Sequence, residues 1–209
     1  MQRASFRTHH MQHTTSQMLA SFDPETLIRT YIRAKDENRP HLMAQTFASD
    51  ATLQMTVNSS AITFPARSEG VAAITDVLVR RFGQTYDNVY TFCLADSRPV
   101  RGVTRYSCDW LVGMSDKLTD AVRVGCGSYV WTFSGHEQGQ RVQTLDIVIE
   151  AMEVLPPETS QPVFDSWLVQ LPYPWCTIPL ACERIPTIAQ LEPVLAALRS
   201  RNKTGCHFQ

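Results

Sequence analysis

The chain has no run of lysines or arginines, no stretch of some twenty apolar residues, no Cys-x-x-Cys, and no paired histidines outside a short N-terminal cluster. Each absence excludes a class of function. With 19 basic and 20 acidic residues and a formal net charge of −1, there is no electrostatic footprint for nucleic acid or an anionic membrane. A bilayer-crossing helix needs ~20 apolar residues in a row, and the N-terminus lacks the apolar core of a secretory signal. A soluble, cytoplasmic protein with no nucleic-acid or membrane partner is expected. The six cysteines, at 93, 108, 126, 176, 182 and 206, are scattered, and three fall inside predicted strands, where a free thiol packs as a small hydrophobe. They read as reduced residues rather than a disulfide framework or zinc site.

Catalytic signatures are missing as well. There is no Gly-x-Ser-x-Gly, no His-Glu-x-x-His and no lysine-bearing phosphate loop. Gly125-x-Gly127 precedes a strand rather than a helix and lacks a third glycine, so it is no nucleotide loop. His41 opens a short helix, His136 lies in a turn and His207 near the end of the chain. Acid–base work would fall to carboxylates, tyrosine or cysteine. No cofactor and no metal are expected. The cluster His9-His10-x-x-His13 reads as part of a polar tail too poor in apolar residues to order itself, over 1–21.

What is present is a clear succession of periods. Asp23-Pro24 forms a helix start, and Leu27, Ile28, Tyr31, Ile32 and Ala34 make an apolar stripe at helical spacing. Asp36 to Pro40 interrupts it, and a short second helix carries Leu42, Met43 and Phe47 inward. Leu53, Met55 and Val57 then alternate with Thr52, Gln54 and Thr56, which is strand spacing. Asn58-Ser59-Ser60 turns the chain into a predicted second hairpin strand bearing Ile62 and Phe64. Ser68 is placed as the cap of a third helix that stops at Gly83. Four segments at about 87–95, 103–114, 121–134 and 141–154, joined by short turns, predict an antiparallel sheet and an α+β domain. Pro156-Pro157 closes the domain. The extension at 155–209, with Trp167, Trp175 and a helix from about Thr187 to Arg201, is too small for its own core and is expected to pack on the domain or on a dimer partner.

Tyr31 to Phe47 followed by Ser-Asp-Ala-Thr at 49–52, and Arg-Ser-Glu-Gly-Val-Ala-Ala-Ile at 67–74, resemble the NTF2-like superfamily, the SnoaL-like and ketosteroid-isomerase-like domains, over 22–154. The resemblance implies a cone: a curved antiparallel sheet wrapped on three N-terminal helices around a pocket, with homodimerisation through the outer sheet face. It places Tyr31 where the isomerase has a hydrogen-bond donor, and Met55 where the isomerase has its carboxylate base. Tyr129 falls at the second donor. Thioether sulfur takes no proton at neutral pH, so steroid isomerisation by that route is not supported. The epoxide-hydrolase branch uses an Arg and two Asp, for which the chain offers Arg105, Asp109 and Asp146. Alternation turns these outward, because Tyr106, Cys108, Trp110 and Val112 share one face and Leu145, Ile147 and Ile149 another. A bulge near Gly125-Cys126-Gly127 would invert that locally.

Tyr31, Met55, Trp110, Tyr129 and Trp131 are the candidates for lining the pocket, although each reads equally as plain core. Tyr31 is the leading catalytic candidate, and Asp109 and Asp146 are secondary ones. Three functions follow from the resemblance. One is a module whose apolar pocket binds a small hydrophobic molecule. A second is an isomerase, cyclase or dehydratase acting by proton transfer on a cyclic hydrophobic substrate. A third is an accessory subunit similar to the β subunit of a ring-hydroxylating dioxygenase.

Overall fold

The computed structural model describes residues 23–135 and 139–204. The expected tail at 1–21, with His9, His10 and His13, lies outside them, as do His136, Cys206 and His207. Helix α1 (Pro24–Asp36) starts where expected: the Asp23 carboxylate accepts the Thr26 N–H at 2.8 Å and Pro24 takes the first position. Its apolar stripe is fully buried. A 3₁₀ turn (Pro40–Leu42) runs into the short helix α2 (Met43–Thr46), and strand β1 (Phe47–Val57) follows directly.

The hairpin differs from expectation. Its second strand, β2, is Arg67–Glu69, with Ser68 opposite Leu53, and not the segment bearing Ile62 and Phe64. Residues 58–66 form an irregular connection that sends Ile62 and Phe64 toward the interior. An apolar residue every second position fits an inward-dipping loop as well as a strand, and Pro65 offers no ladder N–H. Ser68 is therefore a strand residue, and Gly70 takes the cap position. Helix α3 spans 71–85 as an α-helical start (Val71–Thr75), a π-helical stretch (Asp76–Arg81) and an α-helical end (Phe82–Thr85). It passes through Gly83, which is there for proximity rather than termination: a Cβ would lie 2.7 Å from the Asn38 side chain.

Strands β3 (Tyr86–Leu94), β4 (Arg105–Asp116), β5 (Val122–Ser134) and β6 (Arg141–Leu155) form an antiparallel meander. A two-residue strand β7 (Trp175–Cys176) completes a sheet ordered β2-β1-β6-β5-β4-β3-β7. The sheet is mixed rather than wholly antiparallel, because β1 runs parallel to β6 and β7 parallel to β3. It is curved and unclosed. Bulges help bend it: Cys126 pairs with Ala151 and Gly127 with Ile149, leaving Glu150 as an extra residue on β6, and Gln143 is extra in the same way.

Both faces of the sheet carry an apolar layer. The inner cluster joins α1 and α3 to Met55, Cys93, Trp110, Tyr129, Trp131 and Ile147. The outer one joins Phe92, Leu111, Val124 and Cys126 to the extension's Phe164, Trp167, Leu191 and Leu198. The extension contains the short helices α4 (Ser160–Phe164) and α5 (Ile178–Glu183) and the longer α6 (Glu192–Thr204). Trp167 is fully buried on the outer face, with its indole N–H on the Ala181 carbonyl at 2.9 Å, whereas Trp175 joins the inner cluster. Among the described residues no helix is long and apolar enough to cross a membrane, and no cluster of three metal-ligating side chains occurs.

Candidate functional site

Alternation in β1, β4, β5 and β6 turns Met55, Trp110, Val112, Met114, Tyr129, Ile147 and Ile149 toward α1 and α3. Between them lies a cavity of about 50 Å³. That is room for a few waters, each needing on the order of 10–15 Å³, or a guest of few heavy atoms. Met55, Met114 and Met152 are all on the wall, and unbranched thioether chains rearrange at small cost. A second hollow of about 190 Å³, with Thr63, Arg81, Thr85 and Tyr86 on its rim, shares Ile62, Phe64 and Phe82 with the first. These three side chains are common to the walls of both spaces.

Four of the five expected lining residues, Tyr31, Met55, Trp110 and Tyr129, lie on the inner wall. Trp131 does not. It is fully buried behind Tyr31, at 5.2 Å between ring centroids and an interplanar angle of 70°. Tyr31 and Tyr129 meet edge to face at 6.2 Å and interact through their hydroxyls. Burial pushes both phenols well above their usual range, so they are donors at neutral pH and not bases. Trp110 stacks on Tyr129 at 5.7 Å.

Asp109 and Asp146 are on the outer face, as alternation places them. Asp109 is bridged to Arg201 of α6, which also reaches Glu150 at 3.2 Å. Desolvation raises the Asp109 carboxyl above its ordinary value, opposed by Arg201. Asp146 is half-buried between β1 and β5, and its Oδ1 has no partner. Arg105 is exposed on the same side.

The residue not foreseen is Lys35, the one charged side chain on the wall among the described residues. It lies one turn beyond Tyr31 and two beyond Leu27, so it continues the buried stripe; only 6% of it is exposed. Its stem runs beside Phe82, the ammonium 4.8 Å from the ring centroid. Nζ donates to Asp36 Oδ1 and to Thr91 Oγ1, both at 2.6 Å. The Asp36 carboxylate is saturated. Its Oδ1 also accepts the Thr91 hydroxyl at 2.8 Å, and its Oδ2 accepts the Thr91 N–H at 2.8 Å and the Tyr173 hydroxyl at 3.0 Å. A carboxylate has about four acceptor positions, and all are filled. Asp36 is therefore a clamp for Lys35 and not a free base.

No family model matches the sequence, and no curated protein does. Solved structures do resemble it. A type 2 hexachlorocyclohexane dehydrochlorinase (LinA) is 11% identical, with a TM-score of 0.50, over 62% of this chain and 84% of that one. Another LinA structure is 9% identical with a TM-score of 0.51 over the same shares, 62% and 84%. An NTF2-like superfamily protein from Salmonella enterica serovar Typhimurium is 17% identical at a TM-score of 0.46, over 60% of this chain and 87% of that one. At such identities the likeness speaks for the fold alone.

Proposed function

We propose that this cone, whose fold is similar to that of the LinA structures, binds a small hydrophobic molecule, admitted past Ile62, Phe64 and Phe82, with the Lys35 ammonium as the one charged contact. The observation that carries this reading is a wall almost wholly of apolar side chains into which a single clamped cation is set. Such pockets are mainly apolar with a few placed polar groups. Binding is favoured over proton transfer by the state of the wall. Both phenols are held in the protonated form, and the nearby carboxylate is fully hydrogen-bonded.

The test is a titration with small apolar probes, read as a rise in the unfolding midpoint and repeated with Val112→Phe. The added ring fills the cavity at a cost of about 1–3 kcal/mol in stability and should abolish the rise. An unchanged rise in the variant would move the site elsewhere, and no rise in the parent protein would remove the proposal.

A further inference from the structure

Of the described cysteines, Cys126 and Cys176 are buried in the outer cluster and Cys182 packs against it, whereas Cys93 and Cys108 are buried in the inner one. Far apart in sequence, these two meet across the sheet. Cys93 of β3 pairs with Trp110 of β4, and Leu94 with Asp109, so Cys108 is the diagonal neighbour of Cys93 on the same face. Their thiols are hydrogen-bonded to each other. Trp110 on one side of Cys93 and Trp175, opposite it on β7, are buried in the same cluster. Cys93 is 0% exposed and Cys108 8%, which leaves Cys108 as the member nearer to solvent.

The diagonal spacing decides what such a pair is suited to. Diagonal neighbours on an antiparallel ladder are roughly 7–8 Å apart at Cα, beyond the ~6.8 Å at which disulfides usually close. A disulfide here would need the strands to move. A metal ion asks for a wider gap: with metal–sulfur bonds of about 2.3 Å, a linear unit holds its two sulfurs about 4.6 Å apart. Among the described residues no third His, Cys, Asp or Glu joins the two thiols. Zinc in a structural site takes four ligands, and iron–sulfur clusters are held by four. Thiolates select copper(I) among the softer ions, and a filled-shell monovalent ion is satisfied by two ligands in a line.

We propose that Cys93 and Cys108 form a two-coordinate site for a soft monovalent ion of the copper(I) class, held between two thiolate sulfurs. Binding releases both thiol protons to solvent. Burial opposes that step by pushing the Cys93 thiol well above its usual range, and the Asp36 charge adds to it, while the Arg29 guanidinium works the other way. The metal–sulfur bonds have to outweigh the cost, which is why a strongly thiophilic ion is required and a hard one such as magnesium is excluded. Neither cysteine lies on the wall of the inner cavity, so this site stands or falls apart from the proposed pocket.

The test loads the full chain with copper(I) under nitrogen, with a phosphine as reductant, and then challenges it with the copper(I) chelator bathocuproine disulfonate. The parent chain should keep a single copper ion against the chelator, and X-ray absorption at the copper edge should show two sulfur neighbours and no nitrogen or oxygen. Cys93→Ala and Cys108→Ala should each lose the ion, whereas Cys176→Ala, on the outer face, should keep it. Retention by either of the first two variants would overturn the site, as would loss of all copper from the parent or a third ligand at the edge. Where Cys93→Ala fails to fold, Cys108→Ala and the absorption spectrum of the parent decide between the same outcomes. A ready Cys93–Cys108 cross-link on exposure to dilute hydrogen peroxide would also overturn it, because it requires a closer approach than the diagonal allows.

Discussion

A lysine beside an aspartate at the end of a helix ordinarily reads as solvated surface, and here both side chains are under a tenth exposed. The two are interdependent. Lys35→Met leaves a buried carboxylate without its cation, and breaking one side of such a pair costs about 3–5 kcal/mol. Lys35→Met with Asp36→Asn removes both charges and should recover a good part of that loss. Urea unfolding of the single and double variants decides it; equal midpoints would show that the pair is not coupled. Tyr31, Met55, Trp110 and Tyr129 were legible as inward-facing residues because alternation and helical spacing report direction. Trp131 shows the limit of that signal, since direction does not report depth. Lys35 was hidden because a charge reads as the end of an apolar stripe, although its offset of four from Tyr31 carried the information. Thr91 was hidden for a similar reason: only its partner across the fold makes it more than a strand residue.

At the scale of elements, the four long strands and the first helix were readable from period and turn chemistry, and the hairpin was not. Residues 58–66 have apolar positions at strand spacing, but the ladder is made by Arg67–Glu69, whose pattern of two charges around a serine carries no apolar signal. Gly125-Cys126-Gly127 did announce a disturbance, although the extra residue lies on β6. Gly127 is the tightest point: a Cβ there would sit 1.8 Å from the Val148 carbonyl oxygen and 2.7 Å from Trp110. No rotamer relieves a clash with backbone. Gly127→Ala is therefore expected to destabilise the fold at or beyond the upper end of ordinary overpacking, about 3 kcal/mol, with the Trp110 indole signal displaced. A variant of parental stability would mean that β5 and β6 part more easily than the register implies.

For the molecule as a whole, the sheet is covered on both sides, and the cover on the outer side comes from its own C-terminal extension. A chain ending at residue 155 would bare Phe92, Leu111, Val124 and Cys126, an apolar patch of the kind that drives association. Such a truncated chain should aggregate or sediment as oligomers, whereas a well-behaved truncated monomer would show the cover to be dispensable. The extension covers much of the outer sheet face, where Val130 and Val148 are only partly buried. Val148→Arg should convert a dimer formed there to a monomer in sedimentation velocity. The extension's existence was readable from its prolines and tryptophans, but its seat was not, because nothing in a sequence tells which sheet face an appended segment will choose.

Asp36 receives Lys35 from the wall and Tyr173 from the extension on opposite oxygens. One carboxylate thus rivets the far end of the polypeptide to the floor of the cone. The wall cation and the segment around Tyr173 therefore share a single anchor, and replacing that carboxylate releases both at once.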